Sequence, residues 1–303
     1  MRAGILRTAH GARLVVLPLP VLGLLALAAL LLVPEPGAPS TGQRQAAHPV
    51  TFYDARAFSL ALEETAGMPV LPMPGARAVV VPHHWLAGHL ILSSLRDLRA
   101  GGEYDRVILI GPDHVRAAGA DAATSDLPWE TPFGLLRADP ESVSRLAASG
   151  AARVEPDTLS HEHSVAGIVP AIAYYLPDAE IVPLALRGDL DIGQVRALAR
   201  TLAPLLDDGT VIVASVDFSH YLSAMEARAR DAETLAAMQA MDSRALLSFG
   251  DEHLDSPPTI ALLSEMMRLL NRGEFTLRGN TNSGELSGLV RPPVTSYVSG
   301  YYR

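Results

Sequence analysis

Beyond residue 70 the chain alternates short apolar runs with longer stretches in which apolar residues recur every three or four positions. Ala78–Val81, Arg106–Ile110, Glu180–Leu186 and Thr210–Ser215 are rich in Val, Ile and Leu, which predicts short strands buried on both faces. Trp85–Arg99, Ser164–Tyr175 and Ile192–Leu206 lie between them with helical periodicity, and Ala227–Met241 and Pro258–Asn271 continue it downstream. Phe275–Thr281 and Val294–Tyr302 close the chain with strand character. Strands alternating with helices predict an α/β fold, a largely parallel sheet with helices on both faces.

The first fifty residues follow a different pattern. Leu14–Val33 carries no charge and matches the ~20 residues a helix needs to cross a bilayer, and Arg2, Arg7 and Arg13 precede it. That run exceeds the ~7–15 residue core of a signal peptide, so residues 1–33 are expected to form an uncleaved signal-anchor, with a removed signal peptide as the other reading. Residues 34–51, rich in Pro, Gly, Ser and Gln, read as a flexible linker, with the α/β domain running over 52–303. The expected location is membrane-anchored with an extracytoplasmic domain, or exported.

Composition narrows the chemistry. A chain of 303 residues, 49% of them hydrophobic, can bury a sizeable core. Its net charge of −9 and the absence of a basic run argue against a nucleic-acid partner held through phosphates. With no cysteine there are no disulfides, thiolate metal sites or cysteine nucleophiles, and no Gly-x-Ser-x-Gly elbow suggests a serine hydrolase.

Three predicted strands end alike. Val79-Val80-Val81 runs into Pro82-His83, Val107 to Ile110 into Gly111-Pro112-Asp113-His114, and Val211 to Ser215 into Asp217-Phe218-Ser219-His220. Ligands of open α/β sheets bind beyond the carboxyl ends of the strands, so these histidines are expected to converge on one pocket. A loop, Ser160-His161-Glu162-His163-Ser164, adds two imidazoles and a carboxylate before a helix. Imidazoles mixed with carboxylates suit Fe, Zn or Cu and leave positions open for water or substrate. Asp217 is expected in the pocket, whereas Glu162 reads equally as a partner of a ligating histidine or as a helix cap. His10, His48 and His89 read as ordinary structural or surface residues, and His84 is expected to point away from His83.

Val81-Pro82-His83, Gly111-Pro112-Asp113-His114, Thr131-Pro132-Phe133-Gly134, Glu162-His163-Ser164, Ser215-Val216-Asp217-Phe218-Ser219-His220 and Ser296-Tyr297-Val298-Ser299-Gly300-Tyr301 together resemble the Memo family, also called AmmeMemoRadiSam system protein B. The resemblance implies the fold of class III extradiol ring-cleaving dioxygenases. It implies metal-ligand positions at His83 and His114, pocket or catalytic positions at His163, Asp217 and His220, and AMMECR-type and radical-enzyme partners. Three departures stand out. His84-Trp85-Leu86 replaces the family's usual Ala-Gly-Tyr, Ala166 stands where a glutamate is common, and Leu254 falls at the family's third ligand, a cysteine. Asp255 is the candidate substitute ligand, with His253 as the other neighbour. Two functions follow: a metal-dependent oxidoreductase or hydrolase acting on a small molecule, or a non-catalytic extracytoplasmic module holding a ligand or peptide at a degraded metal site.

Overall fold

The computed structural model describes residues 46–289 and 293–303. Its strands are β1 (Ala78–Val81), β2 (Arg106–Pro112), β3 (Ala122–Thr124), β4 (Trp129–Thr131), β5 (Gly134–Leu136), β6 (Ala152–Val154), β7 (Glu180–Leu186), β8 (Thr210–Ser215), β9 (Phe275–Asn282) and β10 (Ser296–Tyr302). Helices α1 (Ala55–Ala66), α2 (Gly88–Gly101), α3 (Pro140–Ala148), α4 (Pro156–His161), α5 (His163–Ala166) and α6 (Val169–Tyr175) occupy the first half. The second half holds α7 (Ile192–Leu202), α8 (Ala224–Gln239), α9 (Ser243–Leu247), α10 (Pro257–Leu269) and α11 (Ser283–Ser287). One sheet runs in the order β6-β3-β7-β2-β8-β1-β10-β9, and β4 and β5 form a separate hairpin.

The apolar runs are continuous because both faces of the central strands are covered. Val79, Val81, Val107, Leu109, Val211 and Val213 pack with Phe58 of α1, Ile91, Leu95 and Leu98 of α2 and Ile172 of α6. Their neighbours Val80, Ile108, Ile110, Ile212 and Ala214 pack on the other face with Val195, Leu198 and Leu202 of α7 and Ile260 and Leu263 of α10. Each such fully buried side chain contributes about 1.5–3 kcal/mol. Start signals in the sequence fix several helices: Asp191 and Gln194 form a capping box on α7, and Ser256 followed by Pro257 opens α10.

Two expectations about the architecture need correction. The largely parallel, class III extradiol dioxygenase-like sheet is instead mixed. β1, β8, β2 and β7 are successively parallel, but β3 is antiparallel to β7, and β10 is antiparallel to both β1 and β9. No helix lies between β2 and β3, so no crossover returns the chain to a parallel position, and β10 pairs antiparallel with β9 although α11 lies between them in the chain. The second correction concerns the membrane-spanning or signal segment and the membrane-anchored or exported location read from it. Among the described residues no helix is long and apolar enough to cross a membrane. The longest of them, α8, has 16 residues and bears charged side chains. Leu14–Val33 lies outside the described residues.

His48, within the stretch read as linker, is buried against the domain. Its ring stacks on Trp129 with 4.0 Å between centroids, and its Nδ1 and Nε2 lie 2.6 and 2.7 Å from the hydroxyls of Ser160 and Ser125. A neutral imidazole meets such a pair by donating at one nitrogen and accepting at the other. Burial pushes its pKa down from 6.5 to about 4, against the opposing pull of Asp126 and Asp157. A base whose folded pKa is depressed leaves stability intact above its unfolded pKa and removes it as pH falls toward the folded one. His48 should therefore cost the fold up to about 3 kcal/mol between pH 6.5 and 4, at roughly 1.4 kcal/mol per pKa unit. Urea titrations across this range should show a shallower loss for His48→Gln than for the wild type, and parallel losses would contradict the assignment.

Candidate metal centre

β8 lies between β1 and β2 and runs parallel to both, so the carboxyl ends of all three strands are adjacent. The loops leaving them bring His83, His114, Asp217 and His220 to one cavity of about 530 Å³, where they meet His163 and Asp255. Phe52, His84, Trp85, Gly167 and Thr295 complete its lining.

Each inner imidazole is oriented from behind. The His114 backbone N–H donates to Glu162 Oε2 at 2.7 Å and its Nδ1 to Oε1 at 2.8 Å, turning Nε2 toward Asp255 Oδ2, 3.5 Å away. The His83 backbone N–H donates to Asp217 Oδ1 at 3.0 Å and its Nδ1 is 3.4 Å from Ser215 Oγ. His83 Nε2 then lies 3.2 Å from Asp255 Oδ2 and 3.8 Å from Asp217 Oδ2. His163 stacks on His114 at 4.3 Å between centroids and stands perpendicular to His83 at 4.9 Å.

Asp255 reaches this place through its neighbours. Leu254 is fully buried and pairs in a β-bridge with Phe218, while the Asp255 N–H donates to the Asp217 carbonyl at 3.1 Å. In extended backbone, successive side chains point to opposite sides, so a core-facing Leu254 turns Asp255 into the cavity. His253 goes elsewhere: it stacks on Phe249 and bonds Glu233, and it does not line the cavity. His161 also stays outside, exposed, with its Nδ1 donating to the Asp157 carbonyl.

The charges are coupled. Burial disfavours a charged His83, but Asp217 and Asp255 outweigh it and raise its pKa to about 9. His114 is likewise raised to about 10, with Asp255 and Glu162 overcoming the cost of burial. Burial works against the Asp255 carboxylate, yet His83 and His114 hold it well below the usual carboxylate range. Burial and the neighbouring His83 and His114 push His163 down to about 4, so it is neutral at pH 7. Asp255 Oδ1 and His220 Nδ1 are buried without a hydrogen-bond partner among the described residues.

These atoms form two groups that could hold a metal ion, His83 with His114 and His163, and His83 with Asp217 and Asp255, each within 4.8 Å. The sequence places an altered pocket wall at His84-Trp85-Leu86 while predicting that His84 points away, and Phe52, Gly167 and Thr295 escape it. His84 lines the wall rather than turning away, its Nδ1 2.7 Å from Tyr297 Oη; Trp85 is tied by its indole N–H to the Gly167 carbonyl at 3.1 Å; and Phe52 comes from the start of the domain. The substitution of His84 and Trp85 for the resembled family's small residues was the only signal of an altered wall.

The chain is similar in sequence to known proteins. Residues 44–301 match a family described as Memo-like protein. A MEMO1 family protein of Aeropyrum pernix is 30% identical over 269 residues, covering 81% of this chain and 94% of the relative. A MEMO1 family protein of Methanopyrus kandleri is 26% identical over 228 residues, with 71% of this chain and 78% of the relative covered. One from Pyrobaculum aerophilum is 29% identical over 245 residues, with coverage of 75% and 85%.

Glu162 acts both as partner of His114 and as cap, since its Oε1 also accepts from the Ser164 N–H at 2.9 Å. Glu162→Ala strips three hydrogen bonds from a fully buried carboxylate. It should lower unfolding free energy by at least the ~1.5–3 kcal/mol typical of one hydrogen bond to a charged group. Urea denaturation at neutral pH checks this, and an unchanged midpoint would exclude the role.

Proposed function

The chain belongs to the family of Memo-like proteins, and from that premise we propose that it is a metal-dependent enzyme whose centre is held by His83, His114 and Asp255. The observation that carries the reading is one carboxylate oxygen, Asp255 Oδ2, facing the Nε2 atoms of two histidines at 3.2 and 3.5 Å. Two donors each about 2.0–2.2 Å from one ion are separated by no more than about 4.4 Å, so each imidazole–carboxylate spacing fits a shared ion. The groups whose donor atoms all lie within 4.8 Å join His83 and His114 through His163, and His83 to Asp217 and Asp255, so ligation by His83, His114 and Asp255 together draws the two imidazoles closer to each other. The donor set fits as well. Two imidazoles and a carboxylate are the facial arrangement of non-haem Fe(II) sites and, with carboxylate in place of thiolate, a set that Zn also takes. The rear bonds of His114 to Glu162 and of His83 to Ser215 supply the partners that ligating histidines need.

A bound Fe, Zn or Cu ion would supply Lewis acidity toward water or dioxygen. The protein's own groups do the rest. His163, neutral at pH 7 and partly open to the cavity, is placed to accept a proton from a bound small molecule, and His220 adds a second imidazole to the cavity lining. Asp217 accepts from the His83 N–H and fixes the loop that carries the ligand. Trp85 and Phe52 give the ligand's body an apolar surface. This supports an oxidoreductase or hydrolase acting on a small molecule; fold alone does not choose between them.

Metal content of the purified protein, measured without a metal-binding tag, tests the reading. His83→Ala and Asp255→Ala should each lower affinity by at least the ~10–100-fold that loss of a supporting partner costs, while His161→Ala leaves it unchanged. Full metal content in Asp255→Ala would remove that residue from the centre.

A further inference from the structure

One wall of the cavity comes from a segment remote from the histidine-bearing loops. The His48 backbone N–H donates to the Pro128 carbonyl at 2.7 Å, and its own carbonyl accepts from the Glu130 N–H at 3.0 Å. Its ring is clamped between the Ser125 and Ser160 hydroxyls and stacked on Trp129. Three residues later Thr51 Oγ1 donates to the Ser160 carbonyl at 2.6 Å. Phe52 follows, its ring 6.0 Å from that of His163 and lining the cavity although it is 38% exposed. On its far side Asp54 caps α1 by accepting from the Arg56 and Ala57 N–H groups. Phe52 is thus held at both flanks. Next to it lies Gly167, where a Cβ would meet the His163 carbonyl oxygen at 2.5 Å and stand in ordinary contact with the Phe52 Cβ at 3.7 Å, so the backbone after His163 turns tightly against Phe52.

We propose that residues 48–52 form a latched wall of the pocket, in which His48 is a positioning residue that holds Phe52 over His163, and Phe52 limits access to the inner imidazoles. The inference stands apart from the metal reading, because it rests on the packing of this segment and not on any ion. Four residues of chain reach no more than about 14 Å, so an anchored His48 leaves Phe52 little freedom to swing away. Ser160 strengthens the arrangement. It receives both His48 and Thr51 and lies just before Glu162 and His163, so the latch and the wall it faces are pinned to the same short segment. Burying the ring between two hydroxyls has a purpose on this account: an apolar residue at position 48 would leave the Ser160 hydroxyl without its partner and Ser125 with only the Leu127 N–H.

Modification of the metal-free protein with diethyl pyrocarbonate, which acylates neutral imidazole, tests this. Mass spectrometry would follow His163 against exposed His161 in the same segment and buried His253 elsewhere. His48→Ala and Phe52→Ala should each raise the His163 to His161 rate ratio severalfold and leave His253 slow. The double variant should do no more than Phe52→Ala alone, because His48 acts through Phe52. An unchanged ratio in either single variant, or a double variant that exceeds Phe52→Ala, would overturn the proposal. Should His48→Ala not fold, Thr51→Ala removes only the outer tie and must raise the ratio in the same direction; an unchanged ratio there has the same force.

Discussion

A single buried carboxylate oxygen, Asp255 Oδ2, shared by two imidazoles, is the contact on which the site depends. Burying a charge such as that of His83 costs several kcal/mol unless an opposite charge offsets it, and the more exposed His114 shares that need in part. Asp255 supplies that charge for His83 and His114, which are raised to about 9 and about 10 and so carry charge when no ion is bound. Glu162 and Asp217 extend the same compensation outward, each accepting from the backbone of the histidine it supports. The network needs the strands to end where they do. β1, β2 and β8 are adjacent, and a one-residue slip in any of them would turn its histidine to the wrong side.

Much of this was legible in the chain because burial on both faces leaves an unmistakable apolar run, and a polar residue just beyond such a run must sit at a strand end. That reasoning located His83, His114, Asp217 and His220. It was weaker where local pattern is silent. Asp255 and His253 flank Leu254 equally, and only the β-bridge from Leu254 to Phe218 decides which of them turns into the cavity. The mixed sheet was missed because direction is set by connections: β3 follows β2 without a helix, and nothing in three residues of Ala-Ala-Thr announces an antiparallel partner. His48 read as part of a linker and Phe52 as no more than the first residue of the domain, since a segment that gains its structure by docking has no periodicity of its own. His161, one residue from Glu162 and two from His163, was grouped with them by proximity in sequence, but α4 turns it to solvent.

Together the two ends of the cavity divide the work. The inner end is polar, with a neutral His163 beside the two imidazoles that Asp255 joins. An aromatic part of the lining is built from Phe52, which precedes α1, and Trp85, which follows His83 and His84 on the segment leaving β1. Such a division lets the inner donors stay fixed while the outer wall sets what can approach them, the usual arrangement of a pocket with few convergent polar groups in an apolar lining.

The central claim is that His83 and His114 give up their protons to an ion that they hold together with Asp255. Titrating metal into the metal-free protein by calorimetry, at pH 7 in buffers of different ionisation enthalpy, measures the protons released on binding. Because both imidazoles are protonated before the ion arrives, the account predicts release of about two protons per ion bound. Binding without proton release, or no binding by the folded protein, would contradict it.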